Sequence, residues 1–180
     1  MRPFGELKDT KMMIEPSEAL SVGAEVAVTL TGFTGVVAVF GSGAVHEWSE
    51  GDRLRLRLLL SASIVPLGLC LLGLLLLTTD LAPALTWQWC SAVSALLFLT
   101  IGINNLRTFR AIGIARMNAT PGSNLVFLAT SLLGLATCAL QLLNVVVLQA
   151  FWPFFAQIVT SMLIALLQFS RLILVRPRPE

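Results

Sequence analysis

Apolar residues run along this chain in five long blocks, Ala19 to Phe40, Leu58 to Leu77, Leu85 to Ile103, Leu125 to Leu148 and Phe154 to Val175. Each is near the roughly 20 residues that a helix needs to cross about 30 Å of hydrocarbon. In that solvent the backbone must satisfy its own hydrogen bonds, and continuous apolar runs are not the alternating strands of a barrel, so the blocks predict helices. With their flanks included, the spans are expected at about 19–40, 54–77, 85–105, 124–148 and 153–175, a single transmembrane domain over 19–175 between tails at 1–18 and 176–180. The expected fold class is an all-α integral membrane protein, a bundle of five transmembrane helices. The first block is rich in Gly and Thr and carries Glu25. That leaves a four-span alternative, with the first segment re-entrant or interfacial.

One stretch breaks the block pattern. Arg53, Leu54, Arg55, Leu56, Arg57 and Leu58 alternate with a period of two, the signature of a half-buried strand. The alternation runs straight into the second block, however, where more than half of residues 58–77 are Leu, and Ser49 with Asp52 forms a capping box before it. The better reading is a helix entrance, with Arg53 and Arg57 on one face, Arg55 on another, and their guanidinium groups snorkelling to lipid phosphate.

The arginines also predict orientation. They cluster before the second span (Arg53, Arg55, Arg57), after the third (Arg107, Arg110, Arg116) and at the C-terminus (Arg171, Arg176, Arg178), whereas the connections 78–84 and 149–153 carry no Lys or Arg. By the positive-inside rule the three clusters are cytoplasmic, which gives N-out, C-in topology. Trp87, Trp89 and Trp152 would then make an outer aromatic belt, with Trp48 at the inner interface.

Composition narrows the class further. Of 180 residues, 56% are hydrophobic and 12% charged, about half the charged share of an ordinary soluble domain. All basic residues except Lys8 and Lys11 are Arg, and no surface interleaves basic with aromatic residues as nucleic-acid binding requires. Cys70, Cys90 and Cys138 lie in or beside apolar runs, without a CxxC pair and with His46 as the single imidazole, so they read as small packing residues and no metal or cofactor is expected. There is no GxSxG, no phosphate loop and no Tyr, and His46 beside Glu47 reads as a loop residue, so the chain is expected to be non-enzymatic. The tail is acidic as well as basic and does not resemble a signal peptide. Met12 and Met13 offer an alternative translation start to Met1.

The candidate chemistry lies within the spans. Under N-out topology Glu25, Gln141, Asn144 and Gln157 fall about one to two turns below the outer surface, as a polar intramembrane cluster. At helical spacing Thr130, Gly134, Thr137, Gln141 and Asn144 share a face of the fourth span; Gln157, Ser161, Gln168 and Arg171 share one of the fifth; and Glu18, Ser21, Glu25, Thr29 and Gly32 share one of the first. Such stripes are expected to face protein or water. They serve either as interhelical glue, each amide contributing about 0.6 to 2 kcal/mol, or as a solute path with Glu25 as a cation or proton site.

At the other interface, Leu106 to Met117 mixes Arg with apolar residues at helical spacing, either as an interfacial helix or as an extension of the third span, ended by Pro121 and Gly122. Pro66 is expected to kink the second span. An offset of 68 aligns Leu60 with Leu128, Ser63 with Ser131 and Cys70 with Cys138, a match that both a duplication and chance in Leu-rich sequence explain.

GFTGVVAVFG, Gly32 to Gly41, followed by EWSEGDRLRLRLLL, resembles a family of small polytopic bacterial inner-membrane proteins with no known activity. The resemblance covers about the first 80 residues. It implies a bacterial cytoplasmic membrane setting and carries over no functional residues. The expected role is that of a structural or interaction subunit, working through helix packing and its Arg-rich cytoplasmic surface. Its partners would be anionic lipids, a second copy or another membrane protein. The alternative is a small oligomeric transporter or channel built around Glu25, Gln141, Asn144 and Gln157.

Overall fold

The structure, a computed structural model, describes residues 15–40, 50–112 and 123–174. Over these residues the chain is all-helical: α1 (Pro16–Phe40), α2 (Glu50–Leu77), α3 (Pro83–Ile112), α4 (Ser123–Leu143) with a π-helical turn (Asn144–Leu148), and α5 (Phe151–Leu174). All five are long and apolar enough to cross a membrane. The first block is one uninterrupted helix of 25 residues, so its backbone does not take the broken path of a re-entrant segment. The alternating Arg/Leu stretch lies inside α2, as a helix entrance rather than a strand. Leu106 to Ile112 continues α3; the rest of that segment, with the 113–122 connection and Arg116, lies outside the described residues, as do Ser49, Trp48, His46, Met12, Met13, Arg176 and Arg178.

Helix ends follow local chemistry. Pro16 and Pro83 open α1 and α3 at the first helical position, where an N–H would have no acceptor in any case. The end of α2 has no glycine and no basic residue. Instead Thr78 and Thr79 donate both their backbone N–H groups (3.1 and 3.2 Å) and their hydroxyls (2.7 and 2.6 Å) to the carbonyls of Leu75 and Leu76, a tight turn that closes the helix.

Tertiary contacts fix the arrangement. α1 lies antiparallel to α2, with Leu20 beside Gly73, Gly23 beside Cys70 and Thr34 beside Ser63. The two glycines permit this approach: a Cβ on Gly73 would meet Leu20 Cδ1 at 2.8 Å and Phe154 Cε1 at 3.3 Å, and one on Gly23 would meet Cys70 Sγ at 3.1 Å. α5 packs against α1, α2 and α4 and supplies Phe154, Ile158 and Met162 to a core completed by Leu20, Ala27, Leu69, Cys70, Trp87 and Cys90. Cys70 and Cys90 are buried free thiols in that core. The 68-residue offset pairs unlike environments: Ser63 and Cys70 are buried, whereas Ser131 is exposed and Cys138 half-buried.

Trp87 departs from the expected belt. It is 6% exposed, packed on Phe151 (centroids 4.8 Å apart) and Phe154 (6.2 Å), so it is a core residue that joins α3 to α5. Trp89 and Trp152 remain exposed, at 59% and 56%. The end of the bundle formed by the starts of α1, α3 and α5 and the ends of α2 and α4 has no Lys or Arg among its described residues; Arg53, Arg55, Arg57, Arg107, Arg110 and Arg171 all sit on the helices toward the other end. Of these, Arg57 and Arg107 are exposed.

Candidate functional site

The four residues of the expected intramembrane cluster divide into two sites. Gln141, Asn144 and Gln157 are 0%, 0% and 1% exposed and lie in a seam between α3, α4 and α5, toward the arginine-free end. Glu25 is exposed, on the opposite side of the core, and lines a groove between α1, α2 and α5. Because α1 begins at Pro16, Glu25 is also deeper than expected: at 1.5 Å per residue it is about 13 Å from the helix start, near the middle of a bilayer-spanning helix.

The seam is built around the turn that joins α4 to α5. The helix widens at Asn144–Leu148, where Gln149 N–H donates to the Asn144 carbonyl (3.0 Å), and Gln149 takes the left-handed conformation (φ 46°) that reverses the chain. Asn144 then pairs with both faces of one peptide: its Nδ2 donates to the Ala150 carbonyl (3.0 Å) and its Oδ1 accepts from the Ala150 N–H (3.0 Å). A second Nδ2 bond reaches Ser91 Oγ on α3 (2.6 Å). Both N–H groups that a helix could offer to the Val145 carbonyl are thus used elsewhere, and Gln88 Nε2 of α3 donates to it instead (2.9 Å). Gln141 Nε2 donates to the Pro153 carbonyl in the first turn of α5 (2.7 Å). Gln157 lies one turn beyond Pro153, with its Nε2 directed at Ser161 Oγ (3.5 Å).

These bonds assign the amide orientations. Gln141 must point Nε2 at the Pro153 carbonyl, and Gln157 must donate to Ser161, whose own hydroxyl is committed to the Gln157 carbonyl (2.8 Å). Gln141 Oε1, Gln157 Oε1 and Ser94 Oγ are left buried without a hydrogen-bond partner. Ser94 is one turn on from Ser91, and Gln141 one turn back from Asn144 on the antiparallel α4. Two of the three oxygens therefore face the seam at a common level. Sequence reading missed α3's contribution, although Gln88, Ser91 and Ser94 recur every three residues on a single face, a signal of the same kind as the stripe on α4.

The groove has a volume of about 440 Å³ and is lined by Glu25, Val26, Thr29 and Phe33 of α1, Leu59 and Ser63 of α2, and Leu166 and Phe169 of α5, among others. It runs from Glu25 toward the arginine-rich end, and Glu25, Val26, Thr29 and Phe33 along it are exposed. Thr34 and Ser63 form its buried polar floor, their hydroxyl oxygens 3.3 Å apart. Each hydroxyl is already spent on its own helix: Thr29 on the Glu25 carbonyl (2.9 Å), Thr34 on Leu30 (2.8 Å) and Ser63 on Leu59 (2.9 Å). Phe33 and Phe169 close the far end, with ring centroids 6.4 Å apart. No Lys or Arg is among the described lining residues.

The rest of the α1 stripe follows Glu25 outward. Glu18, Ser21, Thr29 and Gly32 are all exposed, so this one polar face of the three finds no cover among the described residues. On α4 and α5, Thr137, Gln141, Asn144, Gln157 and Ser161 are buried, as expected for residues that face protein. No protein family, curated protein or solved structure matches this chain.

Proposed function

We propose that this chain is a non-enzymatic, multi-pass protein of a bacterial cytoplasmic membrane that works as an interaction subunit, binding a further membrane component along the side of α1. One observation carries the reading: Ser21, Glu25, Thr29 and Gly32 form an exposed polar face in the middle of a helix apolar enough to span. A carboxylate at the centre of a lipid-facing helix costs on the order of 3 kcal/mol on insertion scales. A bound component at that face removes the cost.

The arginine distribution supports an orientation with the arginine-rich end in the cytoplasm, N-out and C-in, and with Arg57 and Arg107 against anionic lipid headgroups. The resemblance in the first 80 residues supports the bacterial setting. The transport alternative has less support than the sequence offered it. Gln141 bonds to α5, Asn144 to α3 and the intervening turn, and Gln157 to Ser161 of its own helix, and none of them lines the groove at Glu25. Gln141 and Asn144 act as glue that holds α4 to α5 and α3.

A photo-crosslinking side chain at Val26, which lines the groove, tests the proposal in the native host when compared with the same group at Val146, which is 75% exposed on the π turn. A discrete adduct at Val26 and only diffuse lipid labelling at Val146 is the expected result. Identical lipid labelling at both positions would overturn it.

A further inference from the structure

We propose that the component bound at the α1 groove is a small amphiphilic monocation, a protonated hydrophobic amine whose ammonium group pairs with Glu25 and whose apolar body lies between Phe33, Leu59, Leu166 and Phe169. This inference rests on the reading of α1 as a binding face and names its ligand class.

The charge of the lining argues first. Among the described residues Glu25 is the only ionisable one that lines the groove, and none of them forms an ion pair with it. A carboxylate in an apolar surrounding is stable when a cation accompanies it. The hydrogen-bonding character argues second and independently. Thr29 donates to the Glu25 carbonyl, and the Thr34 and Ser63 hydroxyls bond to helix carbonyls and to each other, so none of the three holds a proton in reserve for a ligand in the groove. Carboxylate and hydroxyls together make a lining of acceptors. It suits a donor with several N–H groups and has nothing to offer an anion or a neutral acceptor such as an ester carbonyl.

Size and position argue third. A volume of about 440 Å³ falls in the range of sites for small organic molecules. Glu25, Val26, Thr29 and Phe33 of its lining are exposed, so a ligand reaches the groove without crossing the packed core. The paired rings of Phe33 and Phe169 supply an aromatic end wall on which an apolar body packs.

The test uses the full chain in lipid nanodiscs and three cage compounds of nearly one shape: 1-adamantylammonium, 1-adamantanol and 1-adamantanecarboxylate. Calorimetry is expected to give saturable one-to-one binding of the ammonium compound, with the alcohol and the carboxylate at least tenfold weaker. Glu25→Gln is expected to weaken ammonium binding at least tenfold. Val26→Trp, which keeps the carboxylate and fills the groove, is expected to abolish it, with helicity and elution volume of both variants unchanged. Equal binding of the three compounds, or wild-type affinity in Glu25→Gln, would overturn the inference. Absence of ammonium binding alongside a discrete protein adduct at Val26 would also overturn it while leaving the interaction reading intact. Absence of both binding and adduct would remove the two together.

Discussion

Between α3, α4 and α5, Gln141, Asn144 and Gln157 disappear into the bundle, whereas on α1 the Ser21, Glu25, Thr29 and Gly32 face stays open. Both regions place polar groups within apolar helices, so composition alone does not separate them. The difference lies in partners. Asn144 finds a serine on α3 and a complete peptide at Ala150, and Gln88 pairs with the Val145 carbonyl, although Gln141 Oε1, Gln157 Oε1 and Ser94 Oγ stay without partners. On α1, by contrast, the hydroxyls bond back to their own helix and the Glu25 carboxylate has no cation beside it among the described residues. A polar group that its own fold satisfies is structural, and one left open in an apolar solvent points outward to something that satisfies it.

Substitutions separate the two regions by their effect on stability. Asn144→Leu is expected to cost most, roughly 3 kcal/mol, because it strands the N–H and C=O of the half-buried Ala150 together with the buried Ser91 hydroxyl. Reversible unfolding in detergent measures it, and a loss under about 1 kcal/mol would mean that the Asn144 bonds do not hold the turn to α3. Gly73→Ala comes next, at about 2 kcal/mol, since its Cβ would sit 2.8 Å from Leu20 Cδ1 and 3.3 Å from a Phe154 ring carbon, and the buried Phe154 has little room to yield. Gln157→Leu is expected to change stability by no more than about 1 kcal/mol. It gives up one long bond to Ser161 and at the same time removes a buried carbonyl oxygen that has no partner. A cost as large as that of Asn144→Leu would mean that Gln157 Oε1 is satisfied in the membrane.

Five helices were readable from the chain because hydropathy over some 20 residues is a one-dimensional signal that the bilayer imposes directly. The helical nature of Arg53 to Leu58 was readable for a similar reason, since its continuity with the Leu-rich run outweighs a short period-two pattern. The stripes on α4 and α5 were correct as faces, but which helix each stripe meets is a matter of rotation and register that spacing does not encode. Trp87 shows the limit. Its place near a helix end is compatible both with an interfacial belt and with the core, and only the arrival of Phe151 and Phe154 from a distant part of the chain decides between them. The grouping of Glu25 with the amides failed for the same reason. Depth along a helix could be counted, but the side of α5 on which each residue falls could not, and the count itself shifted once Pro16 opened α1 three residues before the apolar block.

The smallest stability effects are expected on α1, and they carry the most information about the open face. A Cβ added at Gly32 meets no atom within 4 Å, and the residue is exposed, so Gly32→Ala is expected to leave unfolding within about 0.5 kcal/mol of wild type or slightly better, given alanine's helix preference. Glu25→Leu likewise removes no bond to the rest of the chain and replaces a carboxylate by a side chain at home in lipid, so the isolated protein is expected to unfold no more readily than wild type. The two substitutions should nonetheless alter what crosslinks at Val26: Glu25→Leu by removing the charge that pairs with the ligand, and Gly32→Ala only where the bound component extends along the stripe. If Glu25→Leu instead destabilises the purified protein to the degree of Gly73→Ala, the carboxylate holds α1 to the bundle, and the contrast between a satisfied seam and an open face collapses.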